Sequence, residues 1–118
     1  EALASSEKPD IADVVFKRLE NGVLGVKLLQ IDATLLYQAK DWKSDPLREK
    51  GKDGPYNTYT RVGLPPTPIS NPGIDSVHAS LYPKSNDYYF YLHDNDGVIH
   101  FARNQSEHNI NVRKYILN

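Results

Sequence analysis

The chain has 118 residues, 39% hydrophobic and 25% charged, a composition ordinary for one globular domain with a single modest core. Its 14 basic and 15 acidic side chains are interleaved and leave a formal net charge of −1, which argues against nucleic acid as a partner. The absence of cysteine excludes a disulfide framework, a thiol nucleophile and a cysteine-ligated zinc. No apolar run reaches the length of a membrane span, and no signal peptide is present. Because the chain starts at Glu1 and has no methionine, we expect a piece of a longer protein, with any anchor upstream.

Helical periodicity marks the start of the chain. Apolar residues recur every three or four positions from Ile11 to Leu19, and an Asn-Gly pair follows as a stop signal. This pattern predicts a helix over about residues 8–20. The next apolar run, residues 26–30, is interpreted as a short strand or an extended segment. Asp32 then stands where an N-cap would, which predicts a second helix of two turns directly after it.

The middle of the chain is polar and then rich in proline. Residues 40–54 show no periodicity and are predicted to form a surface loop or a short helix. Residues 63–73 contain four prolines, which fix φ and lack an N–H, so a stiff extended segment without a sheet ladder is predicted. A helix with Ile74, Val77, His78 and Leu81 on one side is expected to begin near Ile74 and to end before Pro83.

The last third predicts an antiparallel β-hairpin over about residues 87–102. An aromatic run and an apolar β-branched run flank the turn sequence Asp-Asn-Asp-Gly at residues 94–97. A final helix is predicted over about residues 106–116, capped by Ser106 or Asn104, with Ile110 and Ile116 directed inward. Helices followed by a hairpin and another helix indicate a small single α+β domain.

The usual motifs of metal and nucleotide chemistry are missing. His93 and His100 lie on opposite arms of the predicted hairpin and could meet across it, but a zinc site needs a third ligand that the spacing of His78 and His108 does not supply. The turn lacks the glycine and acid spacing of a calcium loop. No nucleophile-elbow or phosphate-binding glycine signature is present. No metal and no cofactor are therefore expected.

Two interpretations of the aromatic residues stay open. Alternate members of residues 88–91 could fill the core, or tyrosines could form a stacking surface for the apolar face of a sugar. Uncharged amides and hydroxyls are interleaved with the tyrosines, and a carbohydrate cleft requires such groups because a glycan offers many hydroxyls and few charges.

Three segments, in order and spacing, resemble the catalytic domain of the endolytic murein transglycosylases of the YceG/MltG type. They are residues 14–38, residues 55–73 with the sequence PYNTYTRVGLPPTPISNPG, and residues 89–115, which include Glu107-His108-Asn109. The resemblance covers essentially the whole chain, so residues 1–118 are expected to be part of that domain, without its N-terminal membrane anchor and LysM-like region. It implies a membrane-anchored bacterial enzyme on the extracytoplasmic face of the cytoplasmic membrane, with peptidoglycan glycan strands as substrate and cell-wall synthases as candidate partners.

The resemblance also implies the chemistry. Family members cleave the β-1,4 bond between N-acetylmuramic acid and N-acetylglucosamine inside a strand and leave a 1,6-anhydromuramyl end. One glutamic acid protonates the leaving oxygen and then takes the proton from the muramyl O6 hydroxyl, so no second acid is needed. The family carries a Glu-x-Glu pair ahead of the first predicted helix. An ungapped register places Glu1 on the second Glu and the catalytic acid two residues upstream; a register shifted by two makes Glu1 the acid.

Matched positions suggest which residues form the cleft. Gln30, Asp32 and Thr34 resemble the turn that faces the catalytic helix, and they are expected to contact substrate or to orient the acid. A nearby Asp32 carboxylate would raise the pKa of that acid by like-charge repulsion. The other expected cleft residues are Tyr56, Asn57, Thr58, Tyr59, Pro65, Pro66, Asn71, Glu107, His108 and Asn109.

Two of these groups carry more specific expectations. Asn57 is expected to hydrogen-bond an N-acetyl group or the acid. For Glu107, His108 and Asn109, helix capping and core hydrogen bonding remain the alternative to a place in the cleft.

Other functions compete with catalysis. A non-catalytic glycan-binding or peptidoglycan-binding module would use the same cleft without the acid. Aminodeoxychorismate lyase, a label sometimes attached to this family, requires pyridoxal phosphate, and no glycine-rich phosphate loop accompanies any lysine here.

Overall fold

The computed structural model describes residues 5–40 and 49–117. These fall into two compact units, with residues 18–40 and 49–71 in unit 1 and residues 5–17 and 72–117 in unit 2. The described residues form four α-helices and one two-stranded antiparallel sheet, which confirms the α+β prediction. None of the helices in these ranges is long and apolar enough to cross a membrane.

Helix α1 spans Lys8–Glu20, as predicted, and follows a single 3-10 turn at Ser5–Glu7. It ends where Gly22 adopts a left-handed backbone with φ of 69°. A Cβ atom at Gly22 would lie 2.5 Å from the carbonyl oxygen of Val26, so both the dihedral and the space require glycine. The Asn-Gly stop signal therefore has a steric basis.

Helix α2 spans Asp32–Ala39, and its start corrects the predicted cap. Ile31 occupies the N-cap position with an extended backbone, while Asp32 is the first helical residue, where its negative charge suits the helix dipole. Residues 27–30 have no ladder partner, in agreement with the extended interpretation, although Val26 forms an isolated bridge with Val23. Most of the predicted loop at 40–54 lies outside the described residues.

The proline-rich residues 63–73 contain no strand, as their composition predicts. One backbone hydrogen bond fixes the start of the segment, where the N–H of Gly63 donates to the carbonyl of Lys27 at 3.1 Å.

Helix α3 spans Ile74–Leu81, close to the predicted bounds, and its apolar side faces solvent. Ile74 is 89% exposed and Leu81 is 69% exposed, whereas Ala79 is the buried residue of the helix. A two-turn helix can be held by contacts at its first turn, and α3 has such a contact from Lys8 of α1, whose Nζ lies 2.6 Å from Oδ2 of Asp75.

The hairpin consists of β1, Phe90–His93, and β2, Ile99–Ala102, so its strands are shorter than predicted. Its register pairs Phe90 with Ala102 and Leu92 with His100 on one face, and Tyr91 with Phe101 and His93 with Ile99 on the other. His93 and His100 therefore lie on opposite faces and cannot share a metal ion. Within residues 5–40 and 49–117 no group of three potential metal ligands occurs.

Helix α4 spans Gln105–Tyr115 and covers the Phe90–His100 face of the hairpin. The ring of His108 stacks on Phe90 with centroids 4.9 Å apart, and the ring of Tyr115 stacks on His100 at 3.6 Å. The prediction that Ile110 and Ile116 point inward is wrong, because they are 51% and 44% exposed. The contacts of α4 with the hairpin are made by the rings of His108 and Tyr115, which carry polar atoms, and not by the aliphatic side chains.

Candidate functional site

A strained backbone position occurs at Gln30, the first candidate in the turn before α2. Its φ is 54°, a left-handed value that is uncommon for residues other than glycine. The Gln30 N–H donates to the Thr58 carbonyl at 3.1 Å, and its side-chain oxygen accepts from Nη2 of the buried Arg18 at 2.9 Å. Such strain persists only where surrounding contacts fix it, and it is often found at functional sites.

Thr34 and Thr58 form a buried hydroxyl pair inside unit 1. Their Oγ1 atoms are 2.9 Å apart, and the side chains are 3% and 2% exposed respectively. Thr58 Oγ1 also accepts from the N–H of Ile31 at 2.9 Å, and Thr34 Oγ1 donates to the Ile31 carbonyl at 2.8 Å. The pair thus satisfies the backbone of the N-cap residue and fastens the start of α2 to the loop at residues 56–59.

Asn57 lies beneath the surface that the sequence predicts it to form. Its relative exposure is 0%, and its Nδ2 donates to the carbonyls of Lys50 and Lys52 at 3.1 and 2.9 Å. Its Oδ1 accepts from the N–H of Tyr59 at 2.9 Å. Both ends of the amide are therefore used to shape the loop that carries the tyrosines.

The half-exposed groups of this loop are tyrosines. The Tyr59 hydroxyl donates to Oδ1 of the exposed Asp32 at 2.5 Å, and the Lys50 ammonium lies 4.5 Å from the centre of the Tyr59 ring. The Tyr56 hydroxyl is 2.6 Å from Oγ1 of Thr67 in the proline-rich segment. Unit 1 therefore presents a carboxylate and phenol rings, held in place by a buried polar scaffold.

Tyr37 belongs to the same surface and was not among the predicted residues. Its ring lies 4.8 Å from the ring of Tyr56, at an interplanar angle of 50°. Tyr37 follows Thr34 by three positions on α2, a spacing that places both on one helix face, and this signal could have identified it. Among the other predicted residues, Pro65 is half-buried, while Pro66 and Asn71 are exposed.

The three candidates of unit 2 are engaged in and around α4. Glu107 donates its N–H to Oδ1 of the N-cap Asn104 at 2.9 Å, and its Oε1 accepts from the N–H of Arg103 at 3.0 Å. His108 stacks on the hairpin, and Oδ1 of the exposed Asn109 accepts from Gln105 at 2.8 Å. This geometry supports the capping alternative for Glu107. Glu1 lies outside the described residues.

Hydrogen bonds shift the pKa values of the Asp53 and Asp94 carboxyl groups. Hydrogen bonds from Thr60 and Arg61 lower the pKa of Asp53, and a hydrogen bond from His100 lowers the pKa of Asp94. Both shifts favour the ionised carboxylate, which is the opposite of what a general acid needs near neutral pH. Neither residue is therefore a candidate for the acid.

Comparison with known proteins places these residues in a family. The sequence profile of the YceG-like family matches residues 1–114. The chain is 38% identical over 117 residues to a Bacillus subtilis protein named endolytic murein transglycosylase, and 31% identical over 123 residues to one of the same name from Streptococcus pneumoniae. The matches cover 98% of this chain but only 31% and 22% of the relatives, so the chain spans about a third or less of their length.

A solved structure agrees with the sequence comparison. The crystal structure of a YceG-like protein from Listeria monocytogenes matches this chain with a TM-score of 0.82 and 38% identity. The match covers 92% of this chain and 35% of the Listeria chain. From the extent of these similarities, the chain belongs to the YceG-like family.

Proposed function

We propose that this chain is part of the catalytic domain of a peptidoglycan lytic transglycosylase. The enzyme would cleave the β-1,4 bond between N-acetylmuramic acid and N-acetylglucosamine inside a glycan strand and leave a 1,6-anhydromuramyl end. The observation that carries this proposal is the match of nearly the whole chain to relatives named endolytic murein transglycosylase. The tyrosine and carboxylate surface of unit 1 is chemically suited to such a substrate.

The proposed reaction uses one glutamic acid as acid and then as base. The acid donates its proton to the glycosidic oxygen, and the C1–O bond breaks. The resulting carboxylate accepts the proton of the muramyl O6 hydroxyl as O6 forms the new bond to C1, so the carboxyl group ends as it began. The acid would be Glu1 or, in the longer protein, a glutamate two residues upstream of it. No water enters the bond that forms, which distinguishes the products from those of hydrolysis.

Substrate contacts are assigned to the half-exposed and exposed side chains of unit 1. The rings of Tyr37, Tyr56 and Tyr59 would stack on the C–H faces of sugars, and their hydroxyls would exchange hydrogen bonds with the glycan. Asp32 would accept from a sugar hydroxyl and, where it lies near the acid, keep that acid protonated through like-charge repulsion. Asn57, Thr34 and Thr58 support this surface from below.

The same proposal includes a cellular setting. A peptidoglycan substrate places the protein in the bacterial envelope, and we propose that it acts on the extracytoplasmic face of the cytoplasmic membrane. Enzymes that synthesise glycan strands are proposed as partners, because an endolytic enzyme acts on the strands that they produce.

Digestion of purified glycan strands by the whole protein, followed by mass analysis of the ends, tests this function. The control is the whole protein with the acid replaced by glutamine. Anhydro ends that depend on the acid support the proposal, and reducing ends would show hydrolysis in its place. Binding without cleavage by the wild-type protein would favour the alternative, a non-catalytic glycan-binding module.

A further inference from the structure

The ammonium of Lys50 is a charged group of unit 1 that the proposed reaction does not use. Lys50 is half-buried, and its Nζ lies 4.5 Å from the centre of the Tyr59 ring. Within the parts of the chain that the structure describes, no carboxylate oxygen lies within ion-pair distance of this Nζ. Burial without a counter-ion is unfavourable for a charged group, and contact with a ring face offsets only part of that cost.

Neighbouring cations of the same segment are neutralised within the chain. Nζ of Lys52 lies 3.3 Å from Oε2 of Glu49, and Nε of Arg61 lies 3.2 Å from Oδ1 of Asp53. Lys50 differs from both, because its charge is placed against an aromatic ring and not against a carboxylate.

Tyr59 contacts two opposite charges that do not pair with each other. Its hydroxyl donates to Oδ1 of Asp32 at 2.5 Å, while its ring face contacts the Lys50 ammonium. An ammonium group has several N–H donors, and the ring occupies one side of it, so the others are left to donate to a ligand. The surface therefore offers an acceptor at Asp32 and a donor cation at Lys50.

The backbone of Lys50 is fixed by the buried scaffold of the same loop. Its carbonyl accepts from Nδ2 of the fully buried Asn57 at 3.1 Å. Oδ1 of the same amide accepts from the Tyr59 N–H at 2.9 Å. Asn57 thus connects Lys50 to the residue whose ring its ammonium contacts. A cation held in this way loses little conformational freedom when an anion binds.

We propose that Lys50 is a specificity-determining residue that binds a carboxylate of the muramyl residue. This inference rests on the proposed function and names a part of the substrate that stacking rings do not distinguish. Tyrosine rings accept the C–H face of any N-acetylated sugar. A muramyl residue also carries a lactyl group, whose carboxyl is either free or joined to an acidic stem peptide. That carboxylate accepts a charge-assisted hydrogen bond from Lys50, so the surface favours acidic strands over neutral ones.

Chemical neutralisation of the substrate tests this contact. The substrates are glycan strands with stem peptides, strands stripped of stems by an amidase, and both after conversion of their carboxyl groups to methylamides. Rates of anhydro-end formation by the whole protein give kcat and KM. We expect Lys50→Met to raise KM about 10-fold on strands with free carboxylates, with kcat within about two-fold of wild type. On neutralised strands, Lys50→Met and wild type should have the same KM.

Two further variants separate the charge of Lys50 from its structural effects. Lys50→Arg keeps a cation that can lie over the Tyr59 ring, so its KM should stay within about three-fold of wild type. Lys52→Met is the matched control, because the Lys52 carbonyl also accepts from Asn57, at 2.9 Å, and its charge is already paired. It changes the net charge equally and should leave KM within about two-fold on every substrate.

The comparison of substrates identifies which carboxylate Lys50 binds. A rise in KM on strands with stems assigns the contact to a stem carboxylate, and a rise confined to stripped strands assigns it to the lactyl carboxylate. An unchanged KM of Lys50→Met on both kinds of strand overturns the inference, as does an equal rise on the neutralised strands. Thermal unfolding checks that each variant is folded, and Lys50→Gln takes the place of Lys50→Met if the latter is not.

Binding measurements separate this inference from the proposed function. The affinity for the same strands is measured in the whole protein with its acid replaced by glutamine, with and without Lys50→Met, so no turnover is needed. A weaker affinity of Lys50→Met for acidic strands alone supports the role of Lys50. A wild-type protein that forms no anhydro ends overturns the proposed function, which is a distinguishable result.

Discussion

The Tyr59 hydroxyl donates a hydrogen bond to Oδ1 of Asp32 across 27 positions of sequence. It connects the first residue of α2 to the loop that buried Thr58 and Asn57 hold in place. The Asp32 side chain remains exposed while one of its oxygens is fixed, so its charge is presented in a defined direction. A carboxylate in this state can act on a substrate hydroxyl or on the field around a nearby acid.

We predict that Asp32→Asn lowers kcat/KM of the whole protein by about 10-fold. If the Asp32 charge raises the pKa of the catalytic acid, its removal lowers that pKa. The basic limb of the pH–activity profile, where the acid loses its proton, then moves to lower pH. Asp53→Asn, which removes an exposed carboxylate of the same unit, should leave the profile in place. Unchanged activity and profile in Asp32→Asn would refute the role of Asp32.

Tyr59→Phe separates the orientation of Asp32 from its charge. The ring remains available to stack on a sugar, but the donor to Asp32 is lost. We expect a loss of kcat/KM smaller than that of Asp32→Asn, with the basic limb at its wild-type position because the charge is retained. A shift of the limb as large as that of Asp32→Asn would contradict this division of roles.

Disruption of the buried Thr34–Thr58 pair should lower the stability of the protein. Thr58→Val keeps the shape of the side chain but removes the acceptor for the Ile31 N–H and the partner of Thr34. We expect the free energy of unfolding to fall by about 1–3 kcal/mol, measured by urea denaturation. Thr60→Val is the control, since Thr60 is exposed, and its effect should stay within about 0.5 kcal/mol. Equal effects of the two changes would argue against the buried network.

Element boundaries were predictable where the sequence contains a stereochemical signal. Gly22 ends α1 because its dihedral and space exclude a side chain, and Asn104 caps α4 through its own side chain. The direction of side chains was harder to predict. Ile74 and Ile110 match helical apolar patterns but face solvent. For Ile110 the reason is that the contacts of α4 with the hairpin come from His108 and Tyr115.

Asn57 illustrates why the site was only partly predictable. A polar residue beside tyrosines is typical of a binding surface, and on that pattern the sequence predicts residues 56–59 to line the cleft. Its burial depends on the carbonyls of Lys50 and Lys52, whose positions result from tertiary structure and leave no local signal. The same holds for Asp32 and Tyr59, whose contact joins two distant segments.

Asn57→Ala should therefore lower stability as well as activity. The change removes the buried amide that donates to the carbonyls of Lys50 and Lys52 and accepts from the Tyr59 N–H, and we expect a loss of about 2–4 kcal/mol in the free energy of unfolding. Asn109→Ala, on the exposed face of α4, should cost less than about 1 kcal/mol. A fully stable Asn57→Ala protein that binds glycan strands weakly would instead indicate direct substrate contact.

Substitutions at the start of α4 distinguish a capping role of Glu107 from a catalytic one. Glu107→Gln keeps the oxygen that accepts from Arg103, so we expect activity within about two-fold of wild type and little change in Tm. Asn104→Ala removes the acceptor for the Glu107 N–H and should cost about 1 kcal/mol in unfolding free energy. Complete inactivation by Glu107→Gln without loss of stability would return Glu107 to the cleft.

Asp94 should give the protein an acid-dependent component of stability. Hydrogen bonds from the side chain of His100 and from the Val98 and Asp96 N–H groups lower its pKa below the ordinary 3.8. Because the folded-state pKa lies below the unfolded one, the stabilisation is complete above about pH 4 and is lost as pH falls through the folded-state pKa. When thermal unfolding is measured from about pH 2 to about pH 6, the acid limb of the Tm–pH curve should be shallower for Asp94→Asn than for wild type.

His100→Gln tests the cause of that shift. The hydrogen bond from the His100 side chain is the largest cause of the lowered pKa of Asp94, so its loss should flatten part of the acid limb of the Tm–pH curve. The backbone donors Val98 and Asp96 remain and should preserve the rest of that slope. The order expected for the steepness of the limb is therefore wild type, His100→Gln, Asp94→Asn. An Asp94→Asn protein with the wild-type acid limb would show that this carboxylate has the same pKa in the folded and unfolded states.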